Sequence, residues 1–224
     1  MFFRSVISLS SVRIGALDKL ITMIQNPLID HKTEAQELLR SSKIIGFDEI
    51  KLPGGSGWMG NETHFSGGLP FYIDRNNILW GIVVPYKSTD HQTQESPQSP
   101  PEEYPEETFF RETKEELGTG LQMDVTDFVY ATSPYSAQKP KHTQYFYAKE
   151  INPEDIKTVS TPTANPHDTE IGLPMRVRIE TLVCCISEKH IEPFKECLMH
   201  IMRQSQRYTE AGERAMDMLL GLEK

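Results

Sequence analysis

Residues 102–120 read EEYPEETFFRETKEELGTG, and the charges in this stretch are placed with helical regularity. The pattern predicts a helix from about Glu106 to Leu117, closed by Gly118 as a C-cap. Phe109, Phe110 and Leu117 form its buried side. Glu112, Glu115 and Glu116 fall at i, i+3 and i+4, so all three carboxylates project from one face. From Glu95 to Gly118 eight acids stand against Arg111 and Lys114, a local charge of −6 within the chain's net −9. Like charges at this spacing cost an isolated helix about 0.2–0.5 kcal/mol per pair. A hard divalent cation such as Mg²⁺ would offset that cost, because it takes carboxylate oxygens and keeps waters that substrate phosphates can replace. A plainly solvated acidic face is the competing reading.

On the N-terminal side, Phe71–Ile73 and Ile78–Val84 are apolar and β-prone, with Asp74-Arg75-Asn76-Asn77 as turn chemistry between them, which predicts a hairpin. Residues 86–104 are polar and Pro-rich and read as an extended loop. Residues 52–69, LPGGSGWMGNETHFSGGL, are Gly-rich and read as an irregular, exposed loop. A helix is expected over Thr33–Ser41 with Thr33 as N-cap, and another over residues 14–24. On the C-terminal side, Asp127–Thr132, Gln144–Ala148 and Met175–Ile179 read as strands. Phe194, Cys197, Leu198, Ile201 and Met202 fit one helix face, and Thr209 can cap a last helix. This order of elements predicts an α/β chain with a mixed sheet.

The chain has 224 residues, 38% hydrophobic and 25% charged, with 23 Lys+Arg against 32 Asp+Glu. That composition builds a packed core. Its acidic balance disfavours capture of DNA, which needs a dense basic face. No apolar run reaches the roughly 18 residues of a membrane span. Cys184, Cys185 and Cys197 match neither a disulfide framework nor a CxxC metal pair, so a reducing compartment is the simplest setting. A cytoplasmic location is expected, although residues 1–24, rich in Ser and free of acids before Asp18, leave organellar targeting open. None of the seven His has zinc-site spacing. Trp58, Phe65 and Tyr135 could stack on a base or act as packing lids, and Lys139 and Lys141 could steer an anion.

Glu103, seven residues, Arg111-Glu112, two residues, Glu115-Glu116, one residue and Gly118 resemble the Nudix box. Six of the nine defined positions match, including every charged one. Pro97 stands where the box opens with Gly, and Thr113 and Thr119 stand at its aliphatic positions. Pro53-Gly54-Gly55 is set apart from the box by its distance along the chain. The strand at Trp80–Pro85 and the loop DTEIGLP at 168–174 also look like family features. The resemblance implies a Nudix-like α/β/α sandwich over residues 68–203, with 1–67 as an N-terminal helical and loop extension and 204–224 as a C-terminal helix.

The same resemblance implies a Mg²⁺- or Mn²⁺-dependent pyrophosphohydrolase acting on a nucleoside diphosphate derivative, with an ADP-ribose or nucleotide-sugar type as a guess. Glu112, Glu115 and Glu116 would bind the metal. Arg111 would fix a glutamate rotamer, and Glu103 would contact the cluster. A box glutamate such as Glu115, or Glu170 on the later loop, would serve as general base. A small-molecule nucleotide is the expected partner, without DNA or membrane, and a homodimer is left open. The alternatives are a Nudix-like domain that binds a nucleotide or protein without turnover, and a scaffold whose acidic helix is only a charged surface.

Overall fold

The computed structural model describes residues 30–60, 62–87, 102–132 and 142–222. Pro97, Tyr135, Lys139, Lys141 and the helix expected over residues 14–24 lie outside them. In chain order the elements are α1 (His31–Ile44), β1 (Glu49–Lys51), β2 (Gly54–Met59), β3 (Glu62–Ile73), β4 (Leu79–Tyr86), α2 (Pro105–Leu117), β5 (Phe128–Thr132), β6 (His142–Glu150), β7 (Met175–Arg178), α3 (Ile179–Val183), α4 (Ile191–Gln204) and α5 (Gln206–Leu222). The chain is therefore of the α/β class, with five helices and seven strands among the described residues.

The hairpin forms where the sequence places it. The Asp74 carboxylate accepts from Asn76 N–H (2.8 Å) and Ile78 N–H (3.0 Å), and Asn77 takes the left-handed conformation at φ 58°. Arg207 of α5 clips the same turn through Asn77 Oδ1 (3.0 Å) and the Asp74 carbonyl (2.7 Å). β3 and β4 pair with each other only beside this turn, at Phe71–Ile73 and Leu79–Gly81. Beyond it β4 pairs with β1 and β3 pairs with β2, so residues 49–59 run along both separated strands. On its other edge β3 runs parallel to β6, which pairs antiparallel with β5, and β7 pairs with β4. The sheet is mixed, in the order β1-β4-β3-β6-β5.

Most of residues 52–69 lie in strands, β2 and the first part of β3, rather than in the irregular loop that their glycines suggested. The glycines let two backbones meet at van der Waals contact. Gly54 lies opposite Gly67, its φ is +143°, and a Cβ there would strike the Gly67 backbone. β1, β2 and the first part of β3, which the sequence assigns to an N-terminal extension, run in the same sheet as the hairpin.

Alternation along the strands feeds two cores. Phe71, Val83, Phe146 and Ala148 face one side, with α1, α3, α4 and α5 contributing Ala35, Leu182, Phe194, Cys197, Leu198, Ile201 and Ala215. Tyr72, Ile82, Val84 and Tyr147 face the other, where α2 supplies Phe109 and Leu117. Helices therefore cover both faces of the sheet.

Three local expectations change. α1 starts earlier because Asp30, not Thr33, caps it: its carboxylate accepts from the N–H groups of Lys32 and Thr33 and from the Thr33 hydroxyl at 2.6 Å. α5 starts at Gln206, and Thr209 lies inside it with its hydroxyl on the Met202 carbonyl (2.6 Å). Phe110 is not on the buried side of α2: it is 41% exposed, and buried Thr108 and Thr113 take up that face with Phe109. No described helix is long and apolar enough to cross a membrane.

Candidate functional site

The acidic helix is set by its ends. Pro105 occupies the first turn, where its missing N–H costs nothing. The Glu107 carboxylate reaches back to the Tyr104 N–H (2.8 Å). Gly118 closes the helix in the left-handed conformation at φ 74°. Ser66 of β3 donates to the Pro105 carbonyl (2.5 Å), fixing the N-terminal end on the sheet. Fully buried Phe109 adds about 2 kcal/mol of apolar burial. Thr113, at a position where the box has an aliphatic, is also fully buried. Its hydroxyl donates to the Phe109 carbonyl (2.8 Å) and accepts from the Leu121 N–H (3.3 Å), so the helix packs as an aliphatic residue would let it.

Arg111 organises the outer part of the site. Its Nε lies 2.9 Å from Glu103 Oε1, its Nη1 2.6 Å from Glu112 Oε1 and 3.5 Å from Glu115 Oε2, and its Nη2 donates to the Ser56 carbonyl of β2 (3.1 Å). Glu103 also accepts from the Thr108 hydroxyl (3.0 Å), whose oxygen is 2.9 Å from His64 Nε2. Arg111 above all, with Thr108, holds the Glu103 carboxyl below the usual range. A carboxylate only accepts, so the Thr108 proton points at Glu103 and its lone pair takes the Nε2–H of His64.

Glu116 sits apart on the inner side. It is 4% exposed. Its Oε2 accepts from the Gly54 N–H at 2.9 Å, and Lys51 Nζ lies 3.0 Å from Oε1. That second contact is an ion pair, and among the described residues the Lys51 ammonium is the one partner of buried Oε1. Burial pushes the Glu116 carboxyl up to about 7, outweighing Lys51 and the Gly54 amide. Burial also raises Glu112, against the pull of Arg111. Gly55 faces Glu112 so closely that a Cβ there would overlap its carboxylate.

The fold thus gathers Glu103, Arg111, Glu112 and Glu115 into one network, with Glu115 61% exposed and Glu116 on its own cation. Glu170 belongs to a turn in which the Asp168 carboxylate accepts from the Glu170 N–H (2.7 Å). The Glu170 carbonyl accepts from Lys87 N–H (2.8 Å), and Ile171 bridges to Tyr86, whose ring lies under Lys51 Nζ (4.3 Å). That loop therefore abuts the strand end beside Glu116. The Glu170 side chain is exposed, and among the described residues no hydrogen bond or ion pair ties it to α2.

Sequence reasoning did not single out Lys51, Gly54, Gly55, Ser56, Thr108 or His64 for the site. The only signal for them was the Pro-Gly-Gly run, which distance along the chain set aside.

Among the described residues no three His, Cys, Asp or Glu side chains gather as a metal cage. The chain's own cations explain that arrangement: Arg111 draws Glu112 and Glu115, and Lys51 draws Glu116. The donor set still fits a hard divalent ion: a buried Glu116 oxygen and the Gly54 carbonyl share one ammonium, and the half-buried Glu112 carboxylate lies on the neighbouring turn of α2. The chain matches no protein-family model, no curated protein and no solved structure.

Proposed function

We propose that this chain is a Nudix-type, Mg²⁺- or Mn²⁺-dependent hydrolase of the diphosphate linkage in a nucleoside diphosphate derivative. One observation carries the reading. α2 presents Glu112 and Glu116, both with raised carboxyl pKa values, to the Gly54–Gly55 backbone, and buries Glu116 Oε1 with the Lys51 ammonium as its one partner among the described residues. Carboxylates perturbed by burial beside specific charge partners cluster at functional sites.

Glu112, Glu115 and Glu116 would hold the metal, which would screen phosphate charge and lower the pKa of an attacking water. The chain's own residues do the rest. Arg111 fixes the Glu112 rotamer while it is itself held by Glu103 and the Ser56 carbonyl. Glu115, the most exposed of the three, has room to take a proton from water, and Glu170, exposed on the loop whose Ile171 bridges to Tyr86, is the alternative base. The ADP-ribose or nucleotide-sugar type remains the favoured substrate within the class.

A second reading draws on the same cations. Arg111 and Lys51 already neutralise Glu112 and Glu116, so the domain could bind a nucleotide without turnover. Purified protein with Mg²⁺ or Mn²⁺ and a panel of nucleoside diphosphate derivatives separates the two. Release of nucleoside monophosphate that falls by orders of magnitude in Glu116→Gln supports the hydrolase. Nucleotide binding without release supports the second reading. Neither result, together with no thermal shift on adding metal, leaves only a charged surface.

A further inference from the structure

We propose that Lys51 is a built-in stand-in for the divalent cation, and that the metal binds by displacing its ammonium from Glu116. The inference rests on the metal reading above and adds to it a residue with a defined role in loading the site.

Lys51 Nζ touches two hard oxygens, Glu116 Oε1 at 3.0 Å and the Gly54 carbonyl at 3.3 Å. Carboxylate and backbone carbonyl oxygens are the donors that Mg²⁺ and Mn²⁺ take. Lys51 is itself buried, and a buried ammonium is tolerated only when paired. The pairing is a single contact: among the described residues no second donor reaches Glu116 Oε1, and the ammonium's other oxygen is the neutral Gly54 carbonyl. A permanent buried ion pair is stable only with good geometry and satisfied hydrogen bonds, and the forked guanidinium of Arg suits it better. A single point charge on a four-carbon stem suits exchange.

Lys51 is also placed to move. It lies at the end of β1, and its ammonium already rests on the face of Tyr86 at 4.3 Å, a contact that does not depend on the carboxylate. A divalent ion on Glu116 Oε1 leaves no room for an ammonium on the same atom, because two like charges share one desolvated oxygen only at high cost.

The test uses Mn²⁺ alone, with the full chain. Lys51→Met keeps the length and removes the charge. At pH 8 it should bind Mn²⁺ at least ten-fold more tightly than the wild type by isothermal titration. A smaller gain, or a loss, overturns the exchange while leaving the metal site standing. Absence of Mn²⁺ binding in both proteins overturns the metal reading and the exchange with it. A second measurement needs no variant. Acylation of the wild-type lysines, mapped by mass spectrometry, should modify Lys51 several-fold faster with Mn²⁺ than without, relative to the exposed Lys43. An unchanged Lys51 rate in a protein that binds Mn²⁺ shows that the ammonium stays on Glu116, and the proposal fails.

Discussion

Trp58 and Glu103 are joined backbone to backbone: the Glu103 N–H donates to the Trp58 carbonyl at 2.8 Å, although β3 and β4 both lie between them in the chain. This bond brings the end of β2 to the start of α2. It is why Gly54 and Gly55, remote from the acidic helix in sequence, meet Glu116 and Glu112 in space. Hairpin β3–β4 is an excursion from a site that closes across its base.

Gly55→Ala tests that closure. The new methyl would overlap the Glu112 carboxylate and turn it off its Arg111 contact. Strand geometry at Gly55 is otherwise open to any residue, since its φ is not in the left-handed region. Hydrolysis and Mn²⁺ affinity should each fall about 10–100-fold, the range for a lost supporting contact at a metal site, with a melting temperature within a few degrees of wild type. Full activity in this variant would separate Glu112 from the chemistry.

Thr108 is the next link. It is fully buried, and its hydroxyl joins His64 to Glu103. Thr108→Val keeps the shape and removes the bond from Glu103, while Thr108→Ser keeps the bond. The valine variant should lose about 1–3 kcal/mol in urea unfolding, the cost of leaving a buried polar partner short. Its hydrolysis should drop with kcat rather than KM, because Glu103 acts through Arg111 and not on substrate. Serine should restore the rate. Equal rates for valine and threonine would show that Glu103 is positioned by Arg111 alone.

What the sequence disclosed and what it hid follow from range. α2 was legible because its signals are local: Pro105, the periodic carboxylates and Gly118 all act within the helix. The Asp74 turn was legible for the same reason. β2 was not, because GGSGWM lacks the β-branched residues that mark strands, and its stability comes from close approach to β3. Lys51 carried no signal at all: a lone lysine in IKLP reads as surface until β1 buries it against Glu116. The Nudix-like pattern named the helix's carboxylates and Arg111, but the second cation, Lys51, comes from a strand paired over long range.

Two buried groups give the fold opposite responses to pH. His190 lies under Phe65 and Phe146, and its Nδ1 accepts from the Leu52 N–H (3.3 Å). Burial, with the charges of Lys189 and Lys51, holds its pKa down at about 3, against 6.5 for the free side chain. Between these values the unfolded chain takes up a proton that the folded chain refuses, so stability falls as pH falls, by at most about 1.4 kcal/mol per unit. Glu116 does the reverse. Its pKa of about 7, against 4.5 for the free side chain, makes the folded chain keep a proton that the unfolded chain releases, so stability falls as pH rises through that window. The two effects oppose each other between pH 4.5 and 6.5, and below 4.5 His190 acts without Glu116. His190→Asn keeps an acceptor for Leu52 N–H but cannot titrate. Thermal unfolding from pH 3 to 8 should therefore show this variant losing less stability than wild type below pH 4.5, and declining more steeply toward pH 7. Adding Mn²⁺ should flatten the decline toward pH 7 in both proteins, because the metal favours the Glu116 carboxylate. Parallel curves for variant and wild type below pH 4.5 would mean that His190 is protonated in the folded state and that its contact with Leu52 is lost.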